Sequence, residues 1–216
     1  MPTVVLPVTL DTFIIASNPT NSLDTEVYIG TGEDNTATGA IRRSIIQCSG
    51  LTDGTIPATA TITSAILTLT VHLDTSTNAR THRWYRMIRP DIDITTATWN
   101  IYKTGSNWGT AGGFNATDCE QTDICSKALA NNLSVNSAQD FTLTTSAIQE
   151  IVRGTWGANF LLGKADTELN DGYTWHSSEA STAGYRPYIT VIYTLAPYRT
   201  HRGINLLGRH GRRLVY

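Results

Sequence analysis

The chain has 216 residues and a formal net charge of −2, with 40% hydrophobic and 16% charged residues. It is long enough to bury a core of its own, and no apolar run reaches the roughly 18–20 residues that a transmembrane helix needs. Threonine (35 residues), glycine (17), serine (14) and asparagine (13) are abundant, and these residues favour strands and turns over helices. Composition therefore argues against a helix bundle, a coiled coil, a membrane protein and a disordered chain.

Apolar residues recur mostly at every second position, which is the period of a β-strand. The clearest case runs from Leu67 to Leu73, and a second runs from Tyr188 to Leu195. Glycine, asparagine, aspartate and proline lie between such segments, as expected for turns. Many short strands spaced in this way are typical of a β-sandwich or barrel. The predicted strands are residues 3–8, 11–16, 26–30, 41–48, 67–73, 80–89, 139–143, 158–164, 173–178 and 188–195.

A single helix is predicted, at about residues 145–153. Ile148, Ile151 and Val152 have the i, i+3, i+4 spacing of one helix face, and Gly154 follows as a stop signal. We expect this helix to close one end of the sandwich through core packing.

Residues 90–138 show no regular period, and a loop of this length usually either has a function or packs against the body. Cys48 lies in a predicted strand, where a free thiol behaves as a small apolar group. Cys119 and Cys125 are six residues apart within the loop. A short disulfide between them remains open, but two free thiols are favoured because no export signal precedes them.

The sequence lacks the motifs of a phosphate-binding loop, a zinc protease and a serine hydrolase. The segment His176–Glu179 holds an imidazole, two hydroxyls and a carboxylate, but strand alternation directs them to two different faces. The acidic loop residues fit neither a glycosidase pair nor the spacing of an EF-hand: Asp91, Asp93, Asp118, Glu120 and Asp123. We predict no catalytic residue, no metal site and no cofactor.

Two further groups of side chains are candidates for binding. Aromatic rings can stack on sugars, although packing in the core is the commoner use of tryptophan; the candidates are Trp99, Tyr102, Trp108 and Trp175. A series of arginines occupies positions 80, 83, 86 and 89. Because neighbouring strand positions alternate between faces, we expect internal ion pairs or partner contacts there and no single stripe for nucleic acid.

Charge divides the chain into two parts. Residues 1–196 carry 11 basic and 18 acidic side chains, a net charge of −7, whereas residues 197–216 carry five arginines and no acid. An acidic body is a poor binder of nucleic acid, and a basic segment attached to it favours docking to a negative surface. We therefore predict a body at 1–196 and a docking arm at 197–216. The predicted docking residues of the arm are Arg199, Arg202, Leu206, Leu207, Arg209, Arg212, Arg213 and Tyr216.

The order of several short segments resembles the DNRLRE domain family, a jelly-roll β-sandwich also described as a type of carbohydrate-binding module. The resemblance covers nearly the whole body, from Asp11 to about Tyr193. Most of its weight rests on the Ala-Thr-Ile-Thr-Ser-Ala segment at 60–65 and on Ser-Ser-Glu at 177–179 followed by Arg-Pro-Tyr at 186–188. The other matching segments are 11–14, 17–19, 28–30, 42–46, 85–86, 98–100, 108, 148–154 and 159–162.

The resemblance implies a non-catalytic jelly roll. Its members are usually modules of secreted surface proteins, and some bind polysaccharide. This chain departs from that pattern because it has no signal peptide and ends in a basic arm, as stand-alone virion proteins of tailed phages do.

We expect a non-enzymatic structural protein of a phage particle, assembled in the host cytoplasm as a head-decoration, neck or tail-associated subunit. It would form a homo-oligomer and dock to other virion proteins through residues 1–10 and the arm, without binding nucleic acid or a membrane. The alternative is a carbohydrate-binding module that recognises a polysaccharide or surface glycan through exposed tryptophan or tyrosine rings.

Overall fold

A computed structural model describes residues 1–33, 40–169 and 171–195. Within these ranges the chain is almost entirely β-structure with one α-helix. Two single turns of 3₁₀-helix lie at Ser49–Leu51 and Ala183–Tyr185. The elements in chain order are β1 (Thr3–Pro7), β2 (Leu10–Ile15), β3 (Tyr28–Glu33), β4 (Ile41–Gln47), β5 (Thr61–Asp74), β6 (Arg80–Arg86), β7 (Ile101–Lys103), β8 (Ser106–Asn107), β9 (Cys125–Leu129), β10 (Ala138–Thr142), α1 (Thr145–Val152), β11 (Phe160–Ala165), β12 (Gly172–His176) and β13 (Tyr188–Thr194).

Eleven of these strands form one continuous antiparallel sheet that curls into two layers. The first layer has the order β1–β13–β5–β10, and the second runs β5–β12–β3–β4–β11–β6–β9 with β2 added on β4. The 14-residue strand β5 belongs to both layers. Its first part, Thr61–Thr70, pairs with β13 and β10, and its last part, Val71–Asp74, pairs with β12. The predicted all-β sandwich of jelly-roll type is confirmed.

The main core lies between the two layers. Leu67, Leu69 and Val71 of β5 point into it, as their alternation predicts, and the large rings of Trp84 and Trp175 fill its centre. The helix α1 closes one end of this core through Ile148, Ile151 and Val152, so that the predicted helix and its buried face are both confirmed.

A second apolar cluster covers the outer side of the sheet formed by β2, β4, β6 and β11. Ile14, Ile45 and Leu162 supply its floor, and Ile92 and Trp108 from the long irregular segment lie on top of them. The segment at 90–138 thus packs against the body, which is one of the two roles that its length suggests. It also contains the small hairpin β7–β8 and the strand β9, neither of which its sequence pattern predicts.

Several other predictions can be compared with this fold. Cys48, Cys119 and Cys125 are all free and buried, so the favoured interpretation of two free thiols in the loop is confirmed. The predicted arm at 197–216 lies outside the described residues. Across the described ranges, no helix combines the length and the apolar character that crossing a membrane requires.

Candidate functional site: the edge formed by β1 and the end of β13

The two ends of the described chain lie side by side. The backbone N–H of Tyr193 donates a hydrogen bond of 3.1 Å to the carbonyl oxygen of Pro2, and Thr3 is the register partner of Ile192. The last described residue, Leu195, follows directly after β13. Residues 196–216 are outside the described part, but they are joined covalently to this end of β13. The basic arm therefore begins next to the amino terminus.

Among the described residues, one side of β1 has no strand partner. The hydrogen bonds from Tyr193 to Pro2 and from Val8 to the carbonyl of Pro187 fix the even-numbered residues of this segment as those bonded to β13. The backbone N–H and C=O groups of Thr3 and Val5 consequently point away from β13. Pro7, at the far end of the strand, has no N–H to offer. This free edge, Thr3–Val5, is the exposed boundary of the first layer.

The surroundings of the free edge are apolar. Met1 is 83% exposed, Val5 is 59% exposed and Leu195 is 54% exposed. The strand segments of the first layer contain a single charged side chain, Asp140, whose Oδ1 accepts a hydrogen bond of 2.7 Å from Thr68. Exposed apolar residues beside an unpaired edge are typical of a surface that contacts another polypeptide. Residues Met1–Val5 thus combine a strand of the sheet with exposed apolar side chains that another polypeptide could contact.

The eight predicted docking residues of the arm all lie outside the described residues, and the structure describes only the point from which they start. They are Arg199, Arg202, Leu206, Leu207, Arg209, Arg212, Arg213 and Tyr216.

Two of the four predicted stacking rings are buried, which corrects their assignment. Trp175 lies in the centre of the main core, where its Nε1 donates a hydrogen bond of 3.1 Å to Thr31 Oγ1. Trp108 is enclosed by the outer cluster, and its Nε1 donates a bond of 2.8 Å to the carbonyl of Thr98. Neither ring presents a face to solvent, so neither can serve as a platform for a sugar.

The other two rings are half-buried and each contacts a cation. The guanidinium carbon of Arg43 lies 5.0 Å from the centroid of Trp99, and that of Arg89 lies 4.2 Å from the centroid of Tyr102. Tyr102 also packs against Trp108 at 5.5 Å between centroids. The four rings therefore do not form a shared exposed surface, since each has a neighbour that covers part of it.

The arginines at 80, 83, 86 and 89 make internal ion pairs, as the alternation predicts. Arg80 pairs with the buried Asp171 at 2.5 Å, and Arg89 pairs with the buried Asp118 at 2.5 Å. Arg83 pairs with Asp123, and Arg86 pairs with both Glu120 and Glu150. The three acids of the loop that were considered as calcium ligands, Asp118, Glu120 and Asp123, thus each pair with a different arginine. No group of three metal-ligating side chains occurs among residues 1–33, 40–169 and 171–195.

The segment His176–Glu179 is also divided between separate partners. The Nε2 atom of His176 lies 2.8 Å from Asn136 Oδ1, whereas the hydroxyl of Ser177 donates to the carbonyl of Glu26 at 2.8 Å. Ser178 donates through its hydroxyl to Glu179. The imidazole therefore does not contact the hydroxyl that follows it.

Two features of the fold are not predicted from the sequence. Asp11 is buried, and its Oδ2 accepts a hydrogen bond of 2.7 Å from the backbone N–H of Ser178, close to the Glu179 carboxylate. Burial raises the pKa of Asp11 to about 7, and Glu179 adds to the rise. The available signal was an aspartate directly after Leu10 at the start of a predicted strand.

The second feature is a cavity of about 220 Å³ on the outer side of β3, β5 and β12. Tyr28 and His72 stack at one side of it, with 5.1 Å between ring centroids, and Thr174 and Leu73 form further parts of its wall. Its residues come from four strands that are distant in sequence, β3, β4, β5 and β12, so no local pattern could indicate it.

We compared the sequence with protein-family models and with curated proteins. No protein-family model matches the chain, and no curated protein matches its sequence.

Proposed function

We propose that this protein is a non-enzymatic structural subunit of a phage particle, at the head surface, neck or tail, that docks to neighbouring virion proteins through its two ends. The observation that carries the proposal is the meeting of those ends at one edge of the sandwich. Tyr193 bonds to Pro2 there, and Met1, Val5 and Leu195 expose apolar surface around them. Two segments that leave a body at one place can contact one neighbour together.

The charge distribution supports the same role. The body carries −7 and the arm +5, so opposite charges attract when the arm of one subunit approaches the body of another. The resemblance to the DNRLRE family adds a non-catalytic sandwich as scaffold, and stand-alone virion proteins supply the analogy for the particle. Assembly in the host cytoplasm and a closed homo-oligomer belong to the same proposal.

The direct test is complementation of particles that lack the subunit. A full-length chain and a chain ending at Leu195 are supplied in trans, and purified particles are probed for the subunit. We expect the shortened chain to be absent from the particles although it folds. Incorporation of the shortened chain at the full-length level would refute docking through the arm.

A matched pair of variants separates charge from the rest of the arm. Replacing its five arginines by lysine preserves the charge of +5, and incorporation should remain. Replacing them by glutamine removes the charge, and we expect incorporation to fall and to become insensitive to salt. Equal incorporation of the lysine and glutamine variants would show that charge has no part in docking.

The carbohydrate-binding alternative loses two of its predicted platforms, since Trp108 and Trp175 are buried. Its remaining candidates, Trp99 and Tyr102, can be tested directly by affinity gels with surface polysaccharides. Retardation that disappears in Trp99→Ala would favour a glycan-binding role beside the structural one.

A further inference from the structure

Within the described ranges, β1 is an edge strand, and β13 is its single strand neighbour. Thr3 and Val5 present their N–H and C=O groups on the side away from β13, and no described residue bonds to these groups. Pro7 has no N–H to offer at the far end of the strand. The free edge Thr3–Val5 can therefore accept one short strand.

The free edge lacks most of the features that keep two sheet edges apart. Natural edges are commonly protected by lysine, by inward-pointing charges or by a bulge. The strands β1 and β13 carry no charged side chain, and their pairing contains no bulge. Pro7 protects one end of β1, but the other end is flanked by the exposed apolar side chains of Met1 and Leu195. The edge is thus regular, uncharged and apolar in its surroundings.

The charge of the body favours self-association at this place. Residues 1–196 carry a net charge of −7, so two copies repel each other over most of their surface. The single charged side chain of the strand segments in the first layer, Asp140, lies on β10, three strands away from β1. At about 4.8 Å between neighbouring strands, Asp140 is roughly 14 Å from the edge, beyond the screening length of about 8 Å in physiological salt. Two acidic bodies can therefore meet at β1 with little repulsion.

We propose that β1 of one copy pairs antiparallel with β1 of a second copy, about a two-fold axis beside Val4, and joins the two first layers into one sheet. This inference rests on the proposed function, because it names a second copy as a neighbour that contacts the same edge. Thr3 then lies opposite Val5 of the second copy. The N–H and C=O groups that Thr3 and Val5 present in each copy are all bonded, which gives four main-chain hydrogen bonds.

The position of the axis follows from the residues at the two ends of β1. An axis beside Thr3 would place Val5 opposite Met1, which precedes the strand. An axis beside Val5 would place Thr3 opposite Pro7, which has no N–H. With the axis beside Val4, both residues that present free groups are paired with strand residues that have an N–H and a C=O.

The same register brings apolar side chains together. The half-buried Val4, which packs against the rim of the main core, lies opposite Val4 of the second copy. Met1 lies beside the exposed Pro7 of the second copy. Because the paired strands are short, the contact is small, and we expect the dimer to dissociate on dilution.

Cysteine pairs test the partner and the register together. Thr3→Cys on a chain with one affinity tag is mixed with Val5→Cys on a chain with another, and the mixture is mildly oxidised. Both positions are exposed and the native thiols are all buried, so oxidation acts on the introduced pair. Hydrogen-bonded antiparallel neighbours have Cα atoms about 5.5 Å apart, which a disulfide can span.

We expect the mixture to give a linked species that carries both tags. Val135→Cys, at an exposed loop residue, replaces Thr3→Cys in the control and should stay unlinked to Val5→Cys. More linkage within either single variant than between the two would show a different register and overturn the proposal. Equal linkage in the control would mean random collision and would also overturn it.

Charge variants test the contact without cysteine. Val5→Lys places two lysines diagonally across the paired edges, about 7–8 Å apart, where they repel each other. Val135→Lys makes the same change at a residue of similar exposure, 55% against 59%. In light scattering of the full chain at high concentration, the parent and Val135→Lys should have twice the mass of one chain, and Val5→Lys the mass of one.

Mixing opposite charges should restore the dimer. Val5→Glu alone is expected to be monomeric, and an equal mixture of Val5→Lys and Val5→Glu should regain the doubled mass, because the diagonal pair is then attractive. A mixture that stays monomeric, or a parent that is monomeric at its highest soluble concentration, overturns the proposal.

The same variants separate this inference from the proposed function. If the chain ending at Leu195 is lost from particles while the parent is monomeric and Val5→Lys is incorporated normally, the arm docks elsewhere, and only the pairing of β1 falls. If the shortened chain and Val5→Lys are both incorporated normally while the parent is a dimer, docking through the termini falls and the pairing of β1 stands.

Discussion

The guanidinium carbon of Arg86 lies 3.8 Å from the centroid of the Trp156 ring, so the indole covers one face of the guanidinium. The carboxylates of Glu120 and Glu150 bind its N–H groups. Two hydrogen bonds of 2.9 Å join Arg86 to Glu120, and one of 2.5 Å joins it to Glu150. This cluster connects β6 to α1 and to the long loop.

Removing this arginine should destabilise the protein. Arg86→Met leaves two carboxylates without their cation, and we expect the free energy of unfolding to fall by about 2–3 kcal/mol in chemical denaturation. Arg153→Met, at an exposed position just after α1, should change it by less than about 0.5 kcal/mol. Equal midpoints for Arg86→Met and the parent would mean that the cluster makes no net contribution.

Gly163 is expected to tolerate no side chain. A Cβ atom there would lie 2.6 Å from Cη2 of Trp84, which is fully packed in the core. Gly163→Ala should therefore lower the free energy of unfolding by about 1–3 kcal/mol. At Gly157 no atom lies within 4 Å of the equivalent Cβ, so Gly157→Ala serves as the control and should be neutral or slightly stabilising. Similar losses at both glycines would point to a backbone effect and away from the contact with Trp84.

Asp11 should make the protein less stable as pH rises. Burial raises its pKa from 3.8 to about 7, so between these values the folded chain keeps a proton that the unfolded chain releases. The free energy of unfolding then falls as pH increases from about 4 to 7. Asp11→Asn removes this pH dependence. At pH 8 we expect its free energy of unfolding to exceed that of the parent by on the order of 1–3 kcal/mol. At pH 4 the two free energies should be closer to each other.

The control for this pH dependence is Thr25→Ala, at an exposed residue that carries no ionisable group. It should keep the pH profile of the parent. Parallel profiles for Asp11→Asn and the parent would show that Asp11 ionises normally.

His82 should show the opposite dependence. Burial lowers the pKa of its imidazole to about 3, and its Nδ1 lies 2.8 Å from Thr31 Oγ1. Below pH 6.5 the His82 imidazole binds a proton in the unfolded chain but stays neutral in the folded chain. The free energy of unfolding therefore decreases as pH falls from 6.5 towards 3. NMR titration should find the His82 ring neutral at pH 4.5. A midpoint near 6.5 would mean that water and protons reach the ring.

The thiols should be unreactive in the folded state. Burial raises the pKa of Cys48 and Cys119 to about 12 and that of Cys125 to about 11. We expect no alkylation by iodoacetamide at pH 8 and three modifications after unfolding, counted by mass spectrometry. Val135→Cys supplies an exposed thiol that should react at once. A mass loss of two hydrogens in the parent would reveal a disulfide instead.

Periodicity was sufficient to predict most of the fold. The alternation of Leu67–Leu73 and the stripe on α1 each depend on neighbours in sequence, and both appear where the pattern indicates. The strand β9 was not predicted because between Cys125 and Leu129 it carries only Ser-Lys-Ala, without apolar alternation. The start of β5 at Thr61 was missed for a related reason, since threonine-rich sequence suits both a strand and a turn.

The candidate site depends more on topology than on local pattern. Nothing near Val5 in the sequence indicates that Thr3 pairs with Ile192, nearly the whole chain away, or that no described strand borders the other side of β1. The burial of Trp108 and Trp175 is likewise a property of the assembled layers. An aromatic residue with polar neighbours looks the same in sequence whether the sheet covers it or exposes it.

The pairing of β1 with β13 has a consequence for synthesis. A ribosome makes β1 long before its partner strand β13, so β1 waits through translation of almost the entire body. During that time both of its sides are unsatisfied, and a nascent chain on a crowded polysome exposes them to its neighbours. Native closure of the first layer therefore follows translation of the body, and its slowness follows from the distance in sequence between the two strands.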